Sequence, residues 1–321
     1  MHAARGLHLV ASGHRHPDTV LGTDALEATL PNLRPGWTAD RLGIETRRVA
    51  LPHERVADLG AAALMDALER AGWESHQLDL VVCGASFLEA LMPARASVIA
   101  EMVSPAALAF DVNAACSSFV YSLSVAASML ASEPTVNRAA VCVVERPTAS
   151  ADYSDAHSSV FFGDSAAAVL VQREAIERGW LVVGLALSND AVGSGAVTVP
   201  FRGHFRHDNR DALRHVVNMG EKVVAEVLAE NGLSIDDISA VIGHQANTTV
   251  LGALGERLGV PWERQWHNFE WAGNQGAAGV ATAFSEGWCD RSGELRPGDF
   301  VVLVSVGSGY TAGAVLLRWL G

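Results

Sequence analysis

The residue of this sequence best placed to do chemistry is Cys116. It follows a short apolar segment, Ala106 to Val112, and precedes a long uncharged stretch of small residues, Ser117 to Ser132. The pattern predicts a strand that turns tightly into a buried helix, with the cysteine at the helix N-terminus. Free N–H groups and the helix dipole stabilise a thiolate there. We therefore expect a lowered pKa and a nucleophilic sulfur, although many free cysteines are only small buried hydrophobes.

Three stretches of the second half carry complementary groups. His244 follows an apolar run, Ala240 to Gly243, so it is predicted at the C-terminal end of a buried strand, a usual place for catalytic groups. Asn274 lies in a glycine turn before a small-residue helix, Ala277 to Trp288, and either caps that helix or presents its amide to a cleft. The turn Gly307-Ser308-Gly309 follows a strand and can present backbone N–H groups to an oxyanion.

A thiol, an imidazole, a carboxamide and an exposed backbone turn together suit thioester chemistry. The cysteine accepts an acyl group, with the imidazole helping to favour the thiolate, while backbone N–H groups hold the tetrahedral oxyanion. Neutral His244 and Asn274 can donate hydrogen bonds to a second thioester carbonyl as it gains enolate charge. This chemistry requires no metal and no redox cofactor.

The elements that must position these groups occur twice along the chain. A helical pattern, a glycine, a polar connector and a buried strand occur around Gly72 and again around Gly232, 160 residues later. Glycine turns leading into small-residue strands also recur, at Gly163 and Gly309. Apolar strands alternate with helices, as in sheets covered on both faces. We predict an α/β fold of two similar halves, each with a mixed sheet, divided between residues 172 and 173 into domains 1–172 and 173–321.

Particular elements follow from the same patterns. Helices are predicted at Val56 to Arg70 and Asn218 to Glu230. The predicted strands are Val141 to Val144, Ala166 to Val171, Leu181 to Leu187, Ala240 to Gly243, Val301 to Val306 and Ala314 to Trp319.

Composition excludes several classes of function. A net charge of −13 argues against a general nucleic-acid binder, which needs a basic face. The 4 cysteines form no C-x-x-C pair, and no signal peptide is apparent, so a reducing cytoplasm is expected. The uncharged stretch Val112 to Ser132 is long enough to span a membrane, but Asn113 and its serines indicate a buried core helix. No membrane association is therefore predicted.

The order and spacing of these motifs resemble the β-ketoacyl-[acyl carrier protein] synthase III family of the thiolase superfamily, over nearly the whole chain. The matching segments are Trp37 to Arg47, Ala114-Ala115-Cys116, Phe162-Gly163-Asp164, His244-Gln245-Ala246-Asn247, Gly273-Asn274 and Gly307 to Ala314. The resemblance implies a thiolase-like layered αβαβα fold and a homodimer. It implies an acyltransferase that loads an acyl group onto Cys116 and condenses it with a malonyl-type thioester, losing carbon dioxide.

The resemblance also implies residue roles. Substrates would arrive as thioesters of coenzyme A or of a phosphopantetheine carrier protein. The N–H groups of Cys116 and Ser308 would form the oxyanion hole, and His244 with Asn274 the decarboxylation site. Trp37 and Arg41 would flank the adenine of coenzyme A, and Met92 would line the partner subunit's acyl pocket. Further substrate-binding residues would be Asn247, Gly307 and Gly309.

Four positions depart from the family's pattern. Ala156 and Thr249 stand where arginines are expected, Val306 replaces an aromatic residue, and Ser308 replaces the middle of three glycines. An intact catalytic trio beside an altered donor surface indicates an enzyme of a specialised pathway, such as secondary-metabolite or modified fatty acid synthesis. Two alternatives stay open: acyl transfer to an alcohol or amine without a new carbon–carbon bond, and an inert binding subunit.

Two histidine pairs and a basic segment complete the candidates. His14-x-His16 and His204-x-x-His207 lack a surrounding cysteine or carboxylate cluster, so we interpret them as solvated loop histidines and predict no metal site. The segment Phe201 to Arg214 is either a solvated face or, through Arg206 and Arg210, a contact for an acidic carrier protein.

Overall fold

The structure is a computed structural model that describes residues 4–30, 33–192, 194–201, 203–207 and 209–321. The side chains of residue 157 and of residues 209–212 also lie outside the description, and with them the predicted carrier-protein contact of Arg210. The strands are β1 (His8–Arg15), β2 (Val20–Gly22), β3 (Thr46–Arg48), β4 (Leu80–Gly84), β5 (Leu108–Val112), β6 (Arg138–Glu145), β7 (Ser165–Gln172), β8 (Trp180–Asn189), β9 (Val197–Thr198), β10 (Arg206–His207), β11 (Ile238–Ile242), β12 (Phe300–Gly307) and β13 (Thr311–Trp319).

The helices alternate with these strands. They are α1 (Thr23–Glu27), α2 (Trp37–Leu42), α3 (Val56–Ala71), α4 (Arg95–Val103), α5 (Ser118–Ser132), α6 (Ala156–Ser159), α7 (Asn209–Ala229), α8 (Thr248–Leu258), α9 (Phe269–Ala272) and α10 (Ala278–Arg291).

The main sheet has nine strands in the order β11-β12-β13-β8-β1-β7-β6-β4-β5. In the first half β5, β4 and β6 are parallel, while β7 and β1 are antiparallel to their neighbours. The second half repeats this arrangement with β11, β12, β13 and β8, and Gln265 forms a parallel bridge to Val241 where β5 lies in the first half. The halves join because His8 and Leu9 of β1 also pair with β8, so the two expected sheets form one.

The internal repeat extends to single hydrogen bonds. Helices α3 and α7 both end before a glycine in the left-handed region, Gly72 with φ 65° and Gly232 with φ 67°. The next N–H group then donates back across the helix end, from Trp73 to the Leu68 carbonyl and from Leu233 to the Leu228 carbonyl, at 3.0 Å in each case. This pattern closes helix ends generally. A short capped 3₁₀ turn leads from each helix end into β4 or β11.

The two halves of this single sheet lie on either side of α5 and α10. Helices and sheet therefore form five layers, as the αβαβα prediction requires. Helices α3 and α4 pack on the outer face of the first half, and α7 and α8 on the outer face of the second. Helices α5 and α10 lie between the halves, where Phe119 and Leu123 of α5 and Phe284 of α10 are fully buried against strands of both. The predicted division between residues 172 and 173 falls in the connector from β7 to β8 and stays a prediction.

The uncharged central stretch is a core element. By length and composition alone, Ala115–Ser132 passes as a membrane span, and within the described chain it is the one helix that does. Its apolar residues nevertheless pack in the central layer, which confirms the prediction of a buried core helix.

The predicted strands and helices are all present, with boundaries shifted by a few residues. The largest shift is at α7, which begins at Asn209 rather than at Asn218. In the basic segment Phe201 to Arg214, residues 206–207 therefore form β10, which pairs with β9, and residues 209–214 begin α7.

Candidate active site

The nucleophile candidate lies in a strained turn between β5 and α5. Ala115 has φ 49°, a left-handed conformation that costs a residue with a Cβ about 1–2 kcal/mol. Ser118 supports the turn, since its Oγ donates to the Ala115 carbonyl at 2.6 Å and accepts from the Ala114 N–H at 2.9 Å. Cys116 is half-buried, whereas Ser117 and Ser118 behind it are fully enclosed. The turn therefore presents the sulfur while it buries its neighbours.

The protonation state of this sulfur differs from the prediction. Burial raises the pKa of the Cys116 thiol to about 12, and the charge of Glu145 adds to the rise. The expected lowering of the pKa by the helix N-terminus was wrong. The N–H groups of Ser117 and Ser118 donate to the carbonyls of Ala114 and Ala115, so they are not free to stabilise a thiolate.

Glu145 is a buried acid that the sequence interpretation missed. It ends β6 and accepts hydrogen bonds from the N–H groups of Ser86 and Phe87, each at 2.9 Å, and from the Ser86 hydroxyl. Arg95 lies 3.9 Å from its carboxylate. Burial raises the pKa of Glu145, while Arg95 and the hydrogen bonds lower it. The signal in the sequence that could have identified it was a glutamate at the C-terminal end of an apolar run.

His244 lies two residues beyond the end of β11, at the C-terminal end of a buried strand as predicted. Gln245 fixes its loop by donating to the Gly243 carbonyl at 2.8 Å and accepting from the Asn268 N–H at 3.0 Å. Burial lowers the pKa of His244 to about 4, so its imidazole is neutral at neutral pH. Within the described part of the chain, its Nδ1 is buried without a hydrogen-bond partner. This group is a neutral imidazole with one ring nitrogen uncommitted.

Asn274 is oriented by its own turn. Its N–H donates to the Phe161 carbonyl at 2.8 Å, and its carbonyl accepts from the Gly163 N–H at 3.0 Å. The side-chain Oδ1 accepts from the Gly276 N–H at 3.0 Å. Because a backbone N–H must meet the oxygen end of the amide, the Nδ2 donor is the end left for the cavity.

The glycine turn after β12 packs directly on the nucleophile turn. A Cβ on Gly307 would lie 2.8 Å from the backbone nitrogen of Cys116 and 2.8 Å from the Ala114 carbonyl oxygen, closer than real Cβ contacts. Two hydrogen bonds join the same segments: Thr311 Oγ1 donates to the Ala114 carbonyl and Ser117 Oγ donates to the Thr311 carbonyl, both at 2.9 Å. The two halves of the chain are thus fixed together at the predicted oxyanion hole.

One cavity collects these groups, as the sequence interpretation required. Cys116, His244 and Asn274 all line it. So do the predicted binding residues Asn247, Gly307, Ser308 and Gly309. Asn247 has a structural task as well, because its Oδ1 accepts from the Val250 N–H at 3.0 Å and caps α8. Other lining residues were not predicted, most of them aromatic or apolar: Phe87, Phe161, Phe162, Val197, Phe205, His207, Val216, Ala246, Val250, Val306 and Tyr310.

Three predicted substrate-binding residues do not line this cavity. Trp37 and Arg41 lie on α2, which packs against α8, where the Arg41 carbonyl accepts from the Thr249 hydroxyl at 3.1 Å. Helix α8 contributes Val250 to the cavity wall, so this helix lies between α2 and the cavity. Met92 is 81% exposed on the loop between β4 and α4.

The interpretation of the histidine pairs as solvated was wrong for three of the four histidines. His207 lines the cavity, with its ring against Phe161 and Phe205. His14 and His16 lie on and just after β1 rather than in a solvated loop, and both are half-buried beside Glu286 of α10. The signal was missed because the carboxylate is about 270 residues away in sequence. Of the four, only His204 is exposed.

Fold and site geometry together place the chain among the thiolase-fold proteins. The family model for 3-oxoacyl-[acyl-carrier-protein] synthase III matches residues 110–191, and the model for the C-terminal part of that synthase matches residues 228–319. A β-ketoacyl-[acyl-carrier-protein] synthase III of Desulfotalea psychrophila is 32% identical, across 97% of this chain and 99% of its own.

Solved structures agree with the sequence relatives. The 3-oxoacyl-(acyl carrier protein) synthase III of Pseudomonas aeruginosa PAO1 has a TM-score of 0.90 at 31% identity, covering 98% of both chains. The priming β-ketosynthase of the R1128 polyketide biosynthetic pathway has a TM-score of 0.88 at 28% identity, covering 99% of this chain and 98% of its own. The chain belongs to the β-ketoacyl-[acyl carrier protein] synthase III family, and thus to an acyltransferase class of enzymes.

Proposed function

We propose that this protein transfers an acyl group from a thioester to Cys116 and condenses it with a malonyl-type thioester. The observation that carries the proposal is the shared cavity, which Cys116, His244 and Asn274 all line where the turns of the two halves pack together. Family membership supports the same chemistry.

In the first step a thioester is exchanged. The sulfur of Cys116 attacks the donor's carbonyl carbon, the bond to the donor sulfur breaks, and the cysteine proton ends on the departing thiol. Because the pKa of Cys116 is raised to about 12, the proton leaves during attack and not before it. Neutral His244 lines the cavity and can relay this proton. The N–H groups of Cys116 and Ser308 would hold the oxyanion.

In the second step the malonyl-type thioester loses carbon dioxide. The electron pair of the breaking carbon–carbon bond becomes an enolate, which His244 and the Nδ2 of Asn274 stabilise through hydrogen bonds to its oxygen. A neutral imidazole can do this only as a donor, and its lowered pKa keeps it neutral. The enolate attacks the acyl carbon, and the cysteine sulfur leaves and regains a proton. The products are a β-ketoacyl thioester and free enzyme.

The acyl pocket supports a specialised substrate. Four phenylalanines line the cavity, and Phe162 contacts both Phe87 and Phe205 edge to face. Packed rings of this kind favour an apolar or aromatic acyl group over a short polar one. The priming β-ketosynthase of the R1128 polyketide pathway, one of the structural relatives, has the kind of specialised role that we propose here, in secondary metabolism or modified fatty acid synthesis.

The surface around the cavity supports a proposal for the carrier that delivers the acyl group. In the β9–β10 hairpin, His207 lines the cavity while the neighbouring Arg206 is exposed, as expected for adjacent strand residues. Arg206 is thus placed to meet an acidic carrier protein. Trp37 and Arg41 remain the proposed contacts for coenzyme A.

A charge reversal tests the carrier-protein contact. Arg206→Glu should weaken turnover of carrier-protein thioesters while sparing small thioesters. Arg318→Glu is the matched control, because Arg318 is exposed at the far end of β13, ~23 Å along the strand from Thr311. Equal losses with both donor types would reject the contact.

The exposed sheet edge of the first half supports a proposed homodimer. Strand β5 ends the nine-stranded sheet, and Leu108 on it is 50% exposed. Leu91 and Met92 are exposed on the loop before α4. Unpaired apolar edges invite pairing with another chain, and a partner would place Met92 near the neighbouring subunit. A cytoplasmic location is proposed because all four cysteines are free thiols.

One experiment separates the proposal from its alternatives. The protein is incubated with acyl and malonyl thioesters, carbon dioxide release is followed, and the mass of the intact protein reports acylation of Cys116. Acylation with release of carbon dioxide and a β-ketoacyl product is expected. Acyl-enzyme that turns over only with an alcohol or amine would favour acyl transfer without condensation. No acyl-enzyme across a broad thioester panel would favour an inert binding subunit.

A further inference from the structure

Three potential metal-binding side chains meet away from the cavity. His14 and His16, two residues apart along the end of β1, extend towards α10, where Glu286 lies. One ligand atom from each of the three side chains lies within 4.8 Å of the others. The group therefore joins the first strand of one half to the central helix of the other.

Surrounding residues hold the group in place. Ser285 Oγ lies 3.0 Å from His14 Nδ1, Glu286 Oε1 lies 2.8 Å from His16 Nε2, and Asn268 Nδ2 donates to Glu286 Oε2 at 3.1 Å. Trp271 packs edge-on against the His16 ring, 4.8 Å between centroids. Partners of this kind orient the ligands of metal sites.

Burial and charge favour a cation over a plain hydrogen-bond network. The side chain of His16 is only 9% exposed, yet its Nδ1 has no partner among the described residues. Glu286 is 18% exposed, and in the described part of the chain His16 is its only ion-pair partner. An imidazole carries a positive charge only when it is protonated, so among the described residues this largely buried carboxylate has no permanent cation as its ion-pair partner, and a bound metal ion would supply one.

We propose that His14, His16 and Glu286 form a binding site for a divalent transition metal of the zinc class. Two imidazoles and one carboxylate, with water as a fourth ligand, are a known zinc donor set. The donors lie close enough for side-chain rotation to bring them to bonding distances of ~2.0–2.2 Å. Ligation would replace the His16–Glu286 hydrogen bond with two bonds to the metal.

The site has a route to the catalytic turn. Glu286 accepts from Asn268, and Asn268 Oδ1 accepts from Gln275 Nε2 at 2.8 Å. Gln275 directly follows Asn274. Metal binding would thus stiffen the segment that positions the Asn274 amide, as well as the contact between β1 and α10.

The test is a metal titration of the whole protein. Protein stripped with a chelator is titrated with Co²⁺, whose visible absorption reports ligation, and then with Zn²⁺ as competitor. One equivalent should bind, and bound zinc should raise the melting temperature. His16→Gln and Glu286→Gln should each weaken binding at least ~10-fold. His53→Gln removes an exposed histidine elsewhere and should bind as the unaltered protein does.

Two outcomes would overturn the site. One is an unaltered protein that binds less than one equivalent of either metal; the other is equal binding by the unaltered protein, His16→Gln and Glu286→Gln. Circular dichroism of the metal-free variants checks that they fold. If His16→Gln does not fold, His14→Gln, which removes the other imidazole of the proposed site, serves in its place. The readout does not depend on the condensing activity, so it stands whether or not that activity is found.

Discussion

The N-termini of the two central helices occupy equivalent places in the two halves but carry different chemistry. Cys116 precedes α5, and Asn274 precedes α10, 158 residues later. Both turns contain a residue with positive φ: Ala115 with φ 49°, which is strained by its Cβ, and Gly273 with φ 75°, which glycine adopts without strain. The first turn holds a neutral thiol, and the second holds an amide whose donor end faces the same cavity.

The strand ends beside these helices diverge in the same way. Gly84 ends β4 and packs against Ser118, with 3.1 Å between a built Cβ and the serine. Its counterpart 160 residues later is His244, which lines the cavity. One half therefore uses its loops to support a nucleophile, and the other uses the equivalent loops to present donors. The duplication supplies a place where two sets of loops meet. In the proposed reaction, the first half would supply the nucleophile and the second half the donors to the enolate.

The largest effect should come from removing the nucleophile. Cys116→Ala should abolish the acyl-enzyme and reduce condensation by ~10³-fold or more, since no second thiol lines the cavity. It should still release carbon dioxide from a malonyl thioester, because the second half's donors are untouched. Intact-protein mass and carbon dioxide release measure the two. If decarboxylation disappears together with acylation, the two halves do not have separate tasks.

The reverse separation should follow from His244→Ala and Asn274→Ala. Each removes a donor to the enolate, which typically costs ~10²–10³-fold in rate. Decarboxylation should fall by that factor. Acylation of Cys116 should persist with Asn274→Ala and slow with His244→Ala, because only the histidine is placed in the proton relay. Loss of acylation in the Asn274 variant would show that this amide supports the first half's turn rather than the enolate.

The junction of the halves is the next sensitive point. Gly307→Ala places a methyl group 2.8 Å from the Cys116 nitrogen, so the nucleophile turn must move. Acylation and condensation should both fall ~10-fold or more, and stability should drop by about 1–3 kcal/mol as in an overpacked core. Gly252→Ala is the control, since its Cβ would meet open space on α8. Kinetics and denaturant unfolding of the two variants measure the rates and the stability. If Gly307→Ala changes neither, the two turns are not held together.

The sequence predicted the layered fold because the 160-residue repeat and the apolar strands survive in the residues themselves. It predicted that Cys116, His244 and Asn274 share one cavity because each lies at the end of a strand or before a helix, where local pattern fixes position. It did not predict the ionisation of Cys116, which depends on which carbonyls the neighbouring N–H groups meet. The His14–Glu286 contact and the burial of Glu145 depend on packing between elements far apart in sequence, and no local pattern reports that packing.

The pH dependence of decarboxylation should report the burial of His244. The pKa of His244 is lowered to about 4, so the imidazole stays a neutral donor well below its ordinary pKa of 6.5. Carbon dioxide release by Cys116→Ala should stay level from pH 8 to about 5 and fall as the pH nears 4. The same shift predicts that folding stability is lost as pH falls from 6.5 towards 4, because the unfolded chain takes up the proton first. A midpoint near 6.5 would place His244 in open solvent.

The smallest effect is expected from Glu145, whose charge acts on the pKa of Cys116. The charge of Glu145 raises the pKa of Cys116, but less than burial does. Alkylation of Cys116 by iodoacetamide should therefore rise steadily with pH up to about pH 10 without a plateau, and Glu145→Gln should make it a few-fold faster at each pH. Exposed Cys289 is the internal reference, quantified by peptide mass in the same sample. A plateau below pH 8 in the unaltered protein would mean that the helix N-terminus does stabilise the thiolate, and that the hydrogen bonds of Ser117 and Ser118 yield to the sulfur in solution.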